Sequence, residues 1–267
     1  MASMNEFYTN SCKKSTATIT RPANTTAYDA NDVVGTAVDV DKIVTSADMK
    51  VGEYTIAAQP SVASKITVSA TAGDTADTMG TITVTGTLNN IVVRDTITPV
   101  AGSTVSGTKE FDAITSVVGA GWVIDAAEGT NDTITVGVDA TNLIFTDIGM
   151  ENECIKIVSV SLNIALAAVT ANMTTFKLHL YDASPTAIAD NSAFTVLDAD
   201  KAKYLGAIDI SQIVDVGGTL FIRDDGKSFV CKLSSTSSSL YGVLQTIGNY
   251  TPTSAEAYSI TVYAQKV

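Results

Sequence analysis

His179 is the only histidine in the 267-residue chain, so a Ser-His-Asp hydrolase built on this sequence would have to use it. It lies in the alternating segment TTFKLHLYD, which sets Phe176, Leu178 and Leu180 on one face and Lys177, His179 and Tyr181 on the other. That alternation reads His179 as a surface or interface residue on a polar strand face, and no GxSxG nucleophile elbow accompanies it. Asp39 and Asp41 stand two apart, so on a strand they share a face and could offer oxygens to Ca²⁺, but no EF-hand or RTX pattern surrounds them. Asp224-Asp225-Gly226 reads as a hairpin turn between the strands TLFIR and SFVCKL, because Asp-Gly suits a type I′ turn. Trp122, the sole tryptophan, could be a carbohydrate platform and reads better as a core or interface anchor. Cys12, Cys154 and Cys231 form no CxxC or Cys/His cluster, which gives neither a zinc site nor a disulfide framework. Cys231 shares a strand face with Phe229 and Leu233, the pattern of a small core residue. With no GxGxxG and no P-loop, the sequence predicts no catalytic residues, no metal and no cofactor.

The elements around these residues are strands. Ile66 and Val68, Ile82 and Val84, and Ile134, Val136 and Val138 recur with period 2, and Thr81, Thr83 and Thr85 alternate with their neighbours. Ile91, Val93 and Ile97 oppose Val92, Arg94 and Thr96 in the same way. Turns are predicted at Thr71–Asp74, Gly86, Ala101–Ser103 and Gly119–Gly121, a spacing that suits a small β-sandwich. Beyond about residue 140 the strands lengthen. Val158, Val160, Leu162, Ile164 and Leu166 are read on one face, and Tyr241–Ile247 as a central strand. The one predicted helix is short, in LDADKAKYLG, with Asp198 as its cap and Gly206 as its end.

Composition narrows the function. Charged residues are 16% of the chain, the net charge is −12, and the isoelectric point is near 4.4. An acidic surface repels phosphates and anionic lipid, which argues against nucleic-acid and membrane partners. No run reaches the ~18 apolar residues that span a bilayer. MASMNEFYTNSCKK lacks an apolar export core, so the sequence predicts synthesis in a cytoplasm without a secretory route. The N-x-T sequons at Asn24, Asn131, Asn172 and Asn249 then read as by-products of threonine richness.

Three stretches carry a resemblance. TRPANTTAYDANDVVG, from Thr20 to Gly35, resembles the opening of a group of tailed-phage virion proteins, and SSSLYGVLQTIGNYTPTSAEAYSITVYA resembles their ending. The segment YDASPTAIADNSAFTVLDADKAKYLGAI is similar to an acidic loop of the same group, through Tyr181, Asp182, Pro185, Asp190, Asn191, Phe194 and the predicted helix from Asp198. The segment from Gly107 to Val117, GTKEFDAITSV, resembles modules common in phage structural proteins. The resemblance covers residues 15–45 and 141–267 and leaves the middle out.

The resulting expectation is an all-β chain. An N-terminal arm occupies residues 1–14, and a jelly-roll-like β-sandwich domain occupies 15–52 and 140–267. A second, small β-sandwich domain is inserted at 53–139, with one short helix elsewhere. The resemblance implies a non-catalytic virion structural protein, a capsid decoration protein on the shell exterior, with the major capsid protein or other virion proteins as partners. A tail, baseplate or head-fibre component is the alternative, and a host-surface carbohydrate-binding protein is disfavoured by 6% aromatic content. A homo-oligomer, a trimer, is expected, with Lys13 and Lys14 on the arm as the capsid-binding residues.

Overall fold

The structure is a computed structural model that describes residues 12–21, 26–36, 38–60, 63–71, 78–123, 132–211, 213–253 and 256–267. The expected turn at Thr71–Asp74, the sequons at Asn24 and Asn131 and arm residues 1–11 lie wholly or partly outside these. In chain order the strands are β1 (Lys13–Thr20), β2 (Val33–Val34), β3 (Asp39–Asp48), β4 (Gly52–Glu53), β5 (Ser64–Thr71) and β6 (Thr78–Leu88). They continue as β7 (Ile91–Ile97), β8 (Ser103–Phe111), β9 (Ala113–Val123), β10 (Thr133–Val138), β11 (Leu143–Phe145) and β12 (Cys154–Ile164). The last are β13 (Phe176–Tyr181), β14 (Tyr204–Ile210), β15 (Val214–Asp215), β16 (Leu220–Lys232), β17 (Leu240–Thr246) and β18 (Ala257–Lys266). The fold is all-β and antiparallel, and it divides into two compact units, one of residues 1–36 with 142–267 and one of 37–141.

The first unit is a sandwich of two sheets. One runs β1-β18-β12-β16 with β15 at its edge, and the other runs β11-β17-β13-β14, with β2 also on β17. Val33 and Val34 pair with Gln245 and Leu244, and Leu143 to Phe145 pair with Gly242 to Leu240, on the same flank of β17. Thus β2 and β11 are two halves of one strand, interrupted opposite Val243. Counted that way, the eight strands lie in the orders 1-8-3-6 and 2-7-4-5, the double Greek key of a jelly roll. Its core follows from alternation: Ala17 and Ile19, Tyr258, Ile260 and Val262, and Phe176, Leu178 and Leu180 are all buried.

The inserted unit packs β3-β10-β5-β8 against β4-β9-β6-β7 around Ile66, Val68, Ile82, Val84, Phe111, Val117, Ile134 and Val136. Its two ends meet, because Asp39 pairs with Val138. β3 and β4 belong to this unit, so the boundaries are 36/37 and 141/142 and not 52/53 and 139/140. β3 escaped detection because its pairing with β10 shifts register twice, which destroys period 2 over DVDKIVTSAD.

Four local expectations are corrected. The helix over 197–206 is a single 3₁₀ turn at Asp198–Asp200, and Tyr204–Gly206 open β14. Asp198 does not cap it, since its carboxylate pairs with Lys201 at 2.5 Å. Asp224-Asp225-Gly226 is no hairpin. β16 runs through it as one strand, advancing four residues from Asp225 to Phe229 while β12 advances two. Gly226 takes φ of 79° at this bulge, a conformation that a side chain would strain. Gly86 and Gly119–Gly121 lie inside β6 and β9, and the turn between β6 and β7 is Asn89-Asn90, both left-handed as in type I′. Val158 is a one-residue bulge against β18, so Ile155 and Ile157 face the core before it and Val160, Leu162 and Ile164 after it.

Candidate functional site

His179 points where alternation puts it, opposite Leu178, but it is buried at 5% exposure. Both faces of β13 are covered. The second face packs under β2 and the 182–203 segment, with Val33, Tyr181 and Val243 buried beside Ile188, Phe194 and Tyr204. The ring stacks on Phe194 at 3.6 Å. Gln245 Nε2 donates to the Asn31 carbonyl at 3.1 Å, which leaves Gln245 Oε1 as the acceptor for His179 Nε2–H at 2.9 Å. His179 Nδ1 therefore accepts from the Tyr204 hydroxyl at 3.0 Å. Burial lowers the His179 pKa, and the nearby Lys177 ammonium adds to that; the Gln245 hydrogen bond and Asp209 act in the opposite direction. The histidine is a neutral bridge with both nitrogens engaged. Tyr181 beside it is pushed up to about 12 by burial, then by Tyr204 and Asp200.

The other sequence candidates remain apart. Asp39 and Asp41 share β3, and among the described residues no three His, Cys, Asp or Glu side chains converge on a cation position. Asp224 pairs with Lys227 at 2.6 Å and Asp225 with Arg223 at 2.8 Å. Trp122 is buried in the inserted core against Gly119, and its Nε1 has no hydrogen-bond partner among the described residues. Cys231 is buried beside Leu233, and burial pushes its thiol up to about 12, out of thiolate chemistry at neutral pH. Cys12 and Cys154 are exposed.

What the structure brings together is a polar node built from the three stretches that carry the resemblance. Arg21 grips Asp190 with two bonds, Nε to Oδ1 at 3.3 Å and Nη2 to Oδ2 at 2.9 Å, with both side chains almost wholly out of water. Asp190 Oδ1 also accepts from the Tyr28 hydroxyl at 2.6 Å and the Gly35 amide at 3.1 Å. The Arg21 guanidinium lies 4.6 Å from the Tyr28 ring centre, and Tyr28 packs on Tyr250 at 5.1 Å. Tyr250 and Tyr258 share a hydroxyl contact of 2.5 Å, and the Tyr258 hydroxyl donates to Glu256, whose other oxygen takes the Thr253 amide at 2.5 Å. Burial pulls the Arg21 pKa down, and the Asp190 hydrogen bond together with the charge interactions of Tyr28, Asp190 and Tyr258 reverses that, so the net shift is upward. Burial first, and then Asp190, raise Tyr28 far above the ordinary phenol range. A node this dry binds the chain to itself and offers nothing to a substrate. Sequence reasoning quoted its residues as motif letters and missed that they touch, because Arg21 and Asp190 are 169 residues apart.

Lys13 and Lys14 are not on an arm. They open β1, paired with Ala264 and Tyr263, and both are exposed. Lys14 lies on the outer face of the β1-β18-β12-β16 sheet, in a row that reads Lys14, Tyr263, Ser159, Asp225. Arg223 lies 4.5 Å from the Tyr263 ring centre. One pair of residues further along, Lys156 sits opposite Gln265 and Val230, and Lys232 sits opposite Cys154. The rest of the face is hydroxyl-rich, with Thr16 and Thr261 in contact at 2.8 Å.

No family model matches the sequence, and no curated protein matches it. Among solved structures, T=1 particles derived from infectious bursal virus align over 96% of this chain and 78% of that chain, at 9% identity and a TM-score of 0.13. The infectious bursal disease virus VP2 subviral particle aligns over 97% and 80%, also at 9% identity and 0.13. At that TM-score neither likeness bears on the fold or the role of this chain.

Proposed function

We propose that the chain is a non-catalytic virion structural protein of a tailed phage, a decoration protein on the outside of a capsid built from a different major capsid protein. One observation carries the reading. The stretches that resemble the phage group are the ones whose Arg21, Tyr28, Asp190, Tyr250 and Tyr258 meet in a single buried node. The resemblance therefore falls on residues that hold a jelly roll together. Acidity supports an outward surface, since −12 fits poorly beside packaged DNA. A symmetric homo-oligomer, a trimer, suits repeated attachment on a shell and covers exposed strand edges. Lys13 and Lys14 stand on β1 and not on an arm, so a lysine-bearing arm is no part of the proposed attachment.

Copy number tests the location. Quantitative mass spectrometry of purified particles is expected to give hundreds of copies per virion; tens or fewer would move the protein to a tail, baseplate or head fibre. No turnover is expected on esters, peptides or polysaccharides. Reproducible turnover abolished by His179→Ala, in a variant that still folds, would overturn the non-catalytic reading.

A further inference from the structure

The 16 Lys and Arg residues are distributed unevenly. The inserted unit, 37–141, holds 13 Asp and Glu against 5 Lys and Arg, a net of −8, while the remainder of the chain holds 15 against 11, a net of −4. Within the jelly roll, Lys14, Lys156 and Lys232 share the outer face of one sheet, on three different strands. From strand spacing and rise, Lys156 stands roughly 8 Å from Lys232 and roughly 12 Å from Lys14, and Lys14 and Lys232 are roughly 20 Å apart. Among the described residues none of the three has an ion pair, whereas Lys266 at the same end is neutralised by Glu153 at 3.1 Å. Three like charges held on a rigid sheet repel one another, and an opposing acidic surface relieves that repulsion. Val230, 56% exposed, lies across from Lys156 and two residues from Lys232 on β16, and adds an apolar contact beside that pair.

We propose that this lysine face docks the acidic inserted domain of a second copy of the chain. The partner is argued from charge: the chain itself supplies a net −8 domain complementary to the face. The contact is heterologous, one patch against a different patch, so it builds a ring when its rotation closes. A three-membered ring is the trimer of the functional reading. The proposal rests on that oligomer and not on its virion location, which copy number tests separately.

The test uses the full chain. Sedimentation velocity and native mass spectrometry at low ionic strength are expected to give a closed oligomer that dissociates as salt rises. The triple variant Lys14→Glu, Lys156→Glu, Lys232→Glu is expected to melt within a few degrees of the parent and to sediment as a monomer. The variant Lys14→Gln, Lys156→Gln, Lys232→Gln serves if the charge reversal fails to fold, and is expected to associate at least tenfold more weakly. Carbodiimide cross-linking of a mixture of ¹⁴N- and ¹⁵N-labelled chains identifies the occupant. Links from these lysines to Asp or Glu of 37–141, joining light and heavy peptides, are the expected result. A parent that stays monomeric, a folded variant that keeps the oligomer, or lysine links confined to one copy would each overturn the proposal.

Discussion

Arg21 and Asp190 are held out of water together, and that makes their removal asymmetric. Arg21→Met strands the Asp190 carboxylate, and Asp190→Asn strands the guanidinium. Each is expected to cost about 3–5 kcal/mol in urea unfolding, the range for breaking a buried pair. The double variant is expected to cost less than the sum of the two, which a double-mutant cycle reads directly. His179 sets a pH dependence of known sign. Its folded pKa lies below the unfolded value, so the unfolded chain binds the proton more readily. The associated stability is complete above the unfolded pKa of about 6.5 and is lost as pH falls from there toward the folded pKa. His179→Gln removes that loss, so the stability difference between parent and variant is expected to shrink on acidification through this window, followed by urea midpoints. Lys177 and Asp209, which face the ring with opposite effects, are kept in both proteins.

At the scale of elements, strand edges are managed by one carboxylate. Asp95, buried on edge strand β7, accepts from the Thr108 and Lys109 amides of β8 at 2.6 and 3.0 Å. Gly107 is required beside it, because a Cβ there would lie 2.5 Å from Asp95 Oδ2. Asp95→Ala leaves those two amides without an acceptor, an expected loss of about 1–3 kcal/mol. It also frees the edges, so light scattering on warming is expected to rise at a lower temperature than for the parent. The GTK letters of the sequence segment thus have a structural reason that no periodicity could reveal. Where strands keep one pairing register, as β7 does on β6 and β13 does on β17, alternation made them legible. Where a bulge intervenes, as at Val158 and Gly226, the same reading put the phase or the turn wrong. His179 was misjudged for another reason: alternation tells which face a residue takes, not whether that face is covered, and the covering segment around Phe194 has no period. The lysine face was invisible because Lys14, Lys156 and Lys232 come from strands distant in sequence that only the Greek key brings side by side.

At the scale of the molecule, two separate cores share one chain. Joining Thr36 directly to Asn142 removes the inserted unit and leaves three residues, Gly35, Thr36 and Asn142, to cross a gap that needs one. The shortened protein is expected to keep a β-type circular dichroism spectrum and a cooperative melt; a non-cooperative product would show that the jelly roll depends on its insert. The broken strand beside β17 has one more consequence. Its two stumps end a residue apart, and the domain it carries closes its own ends through Asp39 and Val138. Any foreign module whose termini lie side by side could be spliced there with the host sheet's register undisturbed. That makes the break a grafting port, a place where such a protein can exchange its cargo without relearning how to fold.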